Sequence, residues 1–186
     1  VNTGQAPRVL DWLIAHEAIE PIVAVFVEPK SRAEDFKKGA EMRAFVTREL
    51  LPWLAERYSV TRDAGERAII GISAGAHAAL DAAVTGGSSA LDAYNRVGLL
   101  IPALSQDDVA AIPMREHRRL RASIVAAMYD TVNLPGARTA QLTLADSGHT
   151  VQWNEVPEGH STNTWKNHLR TVLVGLFGPA TPGTHP

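Results

Sequence analysis

Ser73 lies in Gly71-Ile-Ser-Ala-Gly75, between the apolar run Ala68–Ile72 and an alanine-rich stretch that starts at Ala74. Gly-x-Ser-x-Gly between a strand and a helix suits a nucleophile carried on a sharp turn. Small residues let strand and helix pack closely, and the serine projects from the sheet edge. The following residue, Ala74, offers a backbone N–H at a helix N-terminus, where a developing oxyanion would be stabilised. The same pentapeptide also fits a small-residue turn that merely contains a serine. A serine hydroxyl is a poor nucleophile near neutral pH, so the reading depends on a base and an acid elsewhere in the chain.

The chain has seven histidines. A base for Ser73 must share its sheet edge and therefore directly follow a strand. His160 does, in Val156-Pro-Glu-Gly-His160. His149 precedes that strand and belongs to the opposite edge. His77 sits on the helix after Ser73, His16, His117 and His168 read as helix-surface residues, and His185 falls in the tail. None forms a metal motif such as His-Glu-x-x-His, so no metal is expected. By the same test Asp130, directly after a strand ending near Met128, is the acid. Asp107 and Asp108 are weaker alternatives, and Asp146 precedes a strand. The bland readings are a turn residue before Pro135 for Asp130 and a helix-start residue for His160.

These residues need a scaffold of strands ending along one edge. Continuous apolar runs at 22–27, 68–72, 97–101, 122–128 and 150–156 read as five buried strands. Helical periodicity covers 9–14 (with Asn2 or Thr3 as N-cap), 41–58, 74–84, part of 108–119, 135–145 and 162–177. Pro52 kinks the second of these or begins a new turn. Alternating strands and helices predict an α/β domain with a mainly parallel sheet and helices on both faces. A single domain over 1–177 and a disordered Pro/Gly-rich tail over 178–186 are expected.

Composition narrows the partners. The chain has 186 residues, no cysteine and a net charge of −2, without a long basic run. Disulfides, thiolate metal sites and a Cys nucleophile are excluded, and nothing supports binding to nucleic acid or an anionic membrane. No apolar run reaches the roughly 20 residues of a membrane span, and the start does not read as a signal peptide. A cytoplasmic location is the expectation.

The order Ser73, Asp130, His160 is that of α/β hydrolases. The chain also resembles the putative-esterase family of the enterochelin-esterase and esterase-D type, with feruloyl esterases and mycolyltransferases as relatives. The resemblance rests on Asn2-Thr3-Gly4 with Ala6–Asp11, Val23–Pro29, Glu49-Leu-Leu-Pro-Trp53, Arg67–Gly75, and Val156–His160 with Trp165. It implies an α/β-hydrolase-like fold and a serine esterase with Ser73 as nucleophile, His160 as base and Asp130 as acid. It implies no metal or organic cofactor and a small-molecule ester as substrate. Two departures stand out. Ala76 or His77 occupies a position where the family commonly has glycine. The family's strands before Val1, one carrying the second oxyanion N–H, have no counterpart, so the fold is expected to be N-terminally truncated. The sheet would then be completed by a missing N-terminal segment or by a homo-oligomer, or be rearranged.

Ester hydrolysis on siderophore, feruloyl or acetyl esters is the leading reading. Acyl transfer to an alcohol, or a catalytically inert binding module, are the alternatives. Arg32, with Glu34 and Arg43, and Trp165 could line the mouth of the site. A solvated loop and a core position are the competing readings for the charges and for Trp165.

Overall fold

The computed structural model describes residues 5–28, 41, 44–85, 94–111 and 119–179. The strands are β1 (Ala68–Ile72), β2 (Arg96–Leu100), β3 (Arg121–Ala127) and β4 (Thr150–Val156). They form one sheet in the order β1-β2-β3-β4, with every pair parallel. Its interior strands are almost wholly buried, which is why they read as unbroken apolar runs rather than alternating ones.

The helices are α1 (Ala6–Ala15), α2 (Leu51–Arg57), α3 (Ala74–Thr85), α4 (Gln106–Ala111), α5 (Leu134–Asp146) and α6 (Thr162–Phe177). α3, α4 and α5 connect successive strands and share one core with one face of the sheet, where Ala76, Leu80, Val97, Leu99, Ile124 and Leu144 meet. α1 and α6 cover the other face, packing Leu13, Leu173 and Leu176 against Leu100 and Val125. Alternation along β2 and β3 thus supplies both cores. Parallel strands in one sheet place all C-terminal ends on one edge.

Several expectations are corrected. The run at 22–27 forms no strand: residues 20–28 belong to no ladder, and Val23, Val25, Phe26 and Val27 are 44–50% exposed. β1 pairs with β2 alone among the described strands, so this run has no neighbour to supply its hydrogen bonds, and apolarity alone does not make a ladder. α1 begins after Gln5, whose left-handed backbone (φ 64°) and lack of a side-chain cap replace the expected Asn2 or Thr3 cap; those two residues lie outside the described ones. The helix expected over 41–58 is divided. A π-helical turn at Val46–Leu50 ends in a bond from Leu51 N–H to the Val46 carbonyl, and Pro52 sits in the first turn of α2. Pro52 has no N–H and its ring crowds the preceding turn, which the wider π turn accommodates. Residues 112–118 of the expected 108–119 helix, and 180–186 of the tail, lie outside the described residues.

One close approach fixes how β1 meets α3. A Cβ added to Gly71 would lie 2.1 Å from the Gly75 carbonyl oxygen and 2.6 Å from the Ala76 Cα. Both are backbone atoms that cannot move aside independently. Gly71→Ala is therefore expected to lower unfolding free energy by about 2 kcal/mol or more, read as a fall in the urea midpoint. An unchanged midpoint would contradict this packing.

Candidate active site

Ser73 follows β1 directly and occupies the left-handed region at φ 55°, uncommon for a residue with a Cβ. Its neighbours hold it there. Ser73 N–H donates to the Leu100 carbonyl at 3.0 Å, while its own carbonyl accepts from Ala76 N–H at 2.9 Å and Ala103 N–H at 3.1 Å. The turn is thus bonded to the end of β2, to the segment after it and to the first turn of α3. Ala74 opens α3, so its N–H is one of the helix's N-terminal donors that lack an intrahelical acceptor.

Asp130 lies just beyond β3. Its N–H donates to the Ala127 carbonyl (3.1 Å) and its carbonyl accepts from Leu134 N–H (2.9 Å). The side chain is only 9% exposed. Asn133 Nδ2 donates to both carboxylate oxygens at 3.0 Å, and Asn133 N–H reaches Oδ1 at 3.3 Å. His160 lies after β4, where Ser161 caps α6 by accepting from Thr164 N–H (3.2 Å) and Thr164 Oγ1 donates to the Gly159 carbonyl (2.7 Å).

The three side chains converge. His160 Nδ1 is 2.6 Å from Asp130 Oδ2, and His160 Nε2 is 2.7 Å from Ser73 Oγ. Burial alone would raise the Asp130 pKa. Hydrogen bonds from His160, then from the Asn133 side chain and backbone, outweigh it and hold the carboxyl below its ordinary range. An ionised carboxylate only accepts, so Nδ1 carries the imidazole proton and Nε2 is left to accept from the serine hydroxyl.

The competing candidates have other roles. Asp108 Oδ2 accepts from Ser105 N–H at 2.8 Å while Asp108 N–H donates to Ser105 Oγ at 3.0 Å, a reciprocal cap on α4. Asp107 lies in the first turn of the same helix. His149 is buried, its Nδ1 accepting from Leu120 N–H at 3.2 Å, and burial lowers its pKa. Asp146 ends α5 in solvent. Trp165 packs against the α1–α6 core. Arg32, Glu34, Arg43, His117 and His185 lie outside the described residues. Among the described residues no His, Asp and Glu side chains cluster in metal-ligating geometry.

Two supports escaped the sequence reading. Asn133 is one, and its signal is the spacing Asp130-x-x-Asn133 ahead of Pro135. The other is His168, read as a surface residue. It is only 22% exposed and its Nε2 lies 2.8 Å from Glu158 Oε1, tying the loop that carries His160 to α6. Tyr129 N–H donates to the Glu158 carbonyl at 2.9 Å, which joins the loops that carry Asp130 and His160.

A family model described as "Putative esterase" matches residues 1–176. Among solved structures, an enterobactin esterase from Shigella flexneri aligns with a TM-score of 0.77 at 19% identity, over 90% of this chain and 47% of that one. A ferulic acid esterase gives 0.71 at 17%, over 95% of this chain and 78% of that one. The ferulic acid esterase from Anaeromyces mucronatus gives 0.64 at 18%, over 89% and 68%. At these identities the likeness is one of fold. The chain spans about half the length of the enterobactin esterases it matches. No curated protein matches it.

The depressed Asp130 pKa has a consequence for stability. The contribution is complete above the unfolded carboxylate range near pH 4 and is lost as pH falls through the lower folded value. Asp130→Asn is expected to cost roughly 1–3 kcal/mol at pH 7. In urea titrations the gap from wild type should close as pH drops below about 4. A gap independent of pH would contradict an ionised, stabilising Asp130.

Proposed function

The chain belongs to the putative-esterase family, and on that premise we propose that it is a serine carboxylic-ester hydrolase acting through Ser73, His160 and Asp130. The observation that carries the reading is the continuous hydrogen-bonded line from Ser73 Oγ through His160 to Asp130. As Ser73 Oγ attacks the ester carbonyl carbon, His160 Nε2 takes the hydroxyl proton. Asp130 holds the imidazole in the right tautomer and stabilises the cation that forms. The carbonyl oxygen becomes an oxyanion facing Ala74 N–H, whose helix N-terminus favours negative charge. Collapse expels the alcohol, protonated by His160. A water then attacks the acyl-enzyme with His160 again as base, releasing the acid and restoring Ser73.

Siderophore, feruloyl and acetyl esters are the candidate substrates. Two features favour an ester with an apolar or aromatic acid. One is the fold shared with an enterobactin esterase and ferulic acid esterases. The other is the exposed apolar surface of Met128, Tyr129 and Val132 on the loop bearing Asp130. Acyl transfer uses the same acyl-enzyme and differs only in the acceptor.

The sheet edge bears on partners. β1 is only partly buried, and its outer edge is unpaired among the described residues. Exposed Val23, Val25, Phe26 and Val27 add further apolar surface. Open edges of this kind recruit further strands, here from a second copy or a segment ahead of Val1.

Two measurements test these readings. Ser73→Ala is expected to abolish p-nitrophenyl ester turnover with an unchanged circular dichroism spectrum, and added alcohols to leave the acid as the product. Turnover that survives in Ser73→Ala contradicts the mechanism, and transesterified product assigns acyl transfer instead. In sedimentation velocity the 186-residue chain is expected to self-associate. A cooperative, well-folded monomer would contradict the edge argument.

A further inference from the structure

The N-terminal end of the sheet, opposite the edge that carries Ser73, holds a cavity of about 520 Å³. Arg96 opens β2 and Arg121 opens β3, and the two stand directly opposite one another in the parallel register. Like charges in that position are unfavourable unless something compensates them. Arg96 is compensated. Its Nε donates to the Gly65 carbonyl at 2.6 Å, its Nη1 to the Leu176 carbonyl at 3.1 Å, and its guanidinium lies 5.1 Å from the Phe177 ring. Arg121 is different. Burial, and then the charge of Arg96, push its pKa down, and no carboxylate or hydrogen-bond acceptor offsets them among the described residues.

The partly desolvated Arg121 guanidinium has no acceptor beside it among the described residues, and its planar fork matches a carboxylate bidentately. The rest of the lining defines the ligand further. Ile14, Ile19 and Phe177 give one apolar wall, while Glu17 and Glu20 add negative charge. An anionic group meets Arg121 favourably, the two glutamates weaken that attraction in proportion to the ligand's charge, and the apolar side chains favour an organic acid over an inorganic anion.

We propose that this cavity binds a monoanionic organic acid with an apolar body, its carboxylate on Arg121 and its body against Ile14, Ile19 and Phe177. The site is separate from the Ser73 centre: a β2-length strand of five residues, about 16 Å at roughly 3.3 Å per residue, lies between the two edges. The proposal is independent of the reaction assigned to Ser73.

Isothermal titration of the full chain with benzoate, and separately with inorganic phosphate, tests it. Benzoate is expected to bind saturably at one site, with phosphate at least tenfold weaker. Arg121→Met should weaken benzoate at least tenfold without lowering the thermal midpoint, because the guanidinium it removes has no partner among the described residues. Ser73→Ala should leave benzoate affinity unchanged. The proposal is overturned by any of four results: no saturable benzoate binding, affinity that survives in Arg121→Met, phosphate binding as tight as benzoate, or a lower thermal midpoint in ligand-free Arg121→Met.

Discussion

A serine held at positive φ is the constraint around which this end of the molecule is built. Left-handed backbone costs an L-residue about 1–2 kcal/mol, and at Ser73 the cost is offset by bonds that reach β2, α3 and the segment after β2. Its N–H is taken by Leu100 at the end of β2, and its carbonyl by Ala76 in α3 and by Ala103 beyond β2. Gly71 permits the approach of α3 that makes this possible, since any side chain there would strike the Gly75 carbonyl. The turn is therefore a property of the β1–α3–β2 unit rather than of five residues. Ile101, next to that unit, also has positive φ (40°) and donates its N–H to the Val125 carbonyl at 2.7 Å, so a second left-handed residue lies beside the first where these strand ends meet.

Asp130 and His160 are positioned by the neighbouring units in a parallel arrangement. Asp130 follows β3 as His160 follows β4, and these strands are register neighbours. Met128 N–H to the Val156 carbonyl and Tyr129 N–H to the Glu158 carbonyl fasten the two loops together. Asn133 satisfies Asp130 from one side while His160 does so from the other, leaving the buried carboxylate well paired. Glu158 and His168 tether the loop that carries His160 to α6, and chiefly the His168 bond, with other hydrogen bonds, holds the Glu158 carboxyl below its usual range despite opposing desolvation. Electrostatic order at the site thus comes from pairs of loops on adjacent strands.

Much of this was legible in the sequence. β1 to β4 and α3, α5 and α6 fall within one or two residues of their expected bounds, because buried parallel strands are apolar runs and the helices between them are amphipathic. Requiring a position directly after a strand picks out Ser73, Asp130 and His160 from several candidates, and these are the side chains the structure brings into hydrogen-bond contact. The run at 22–27 carries the same apolar signal as β3 and yet forms no ladder, because pairing depends on a neighbouring strand that local pattern does not encode. Asn133 and the Glu158–His168 pair were missed for a related reason. Their contacts join residues on a turn or across two elements, and residue type alone does not announce them. The Asp108 alternative was resolved by its reciprocal bonds with Ser105, which the sequence permits without requiring.

The central claim is that His160 and Asp130 activate Ser73. Reaction of the folded chain with a fluorophosphonate, followed by peptide mapping, tests it most directly, because such probes phosphonylate an activated serine hydroxyl and leave ordinary serines untouched. The account predicts stoichiometric labelling confined to the peptide that contains Ser73. A folded chain with Ser73 unlabelled would contradict it.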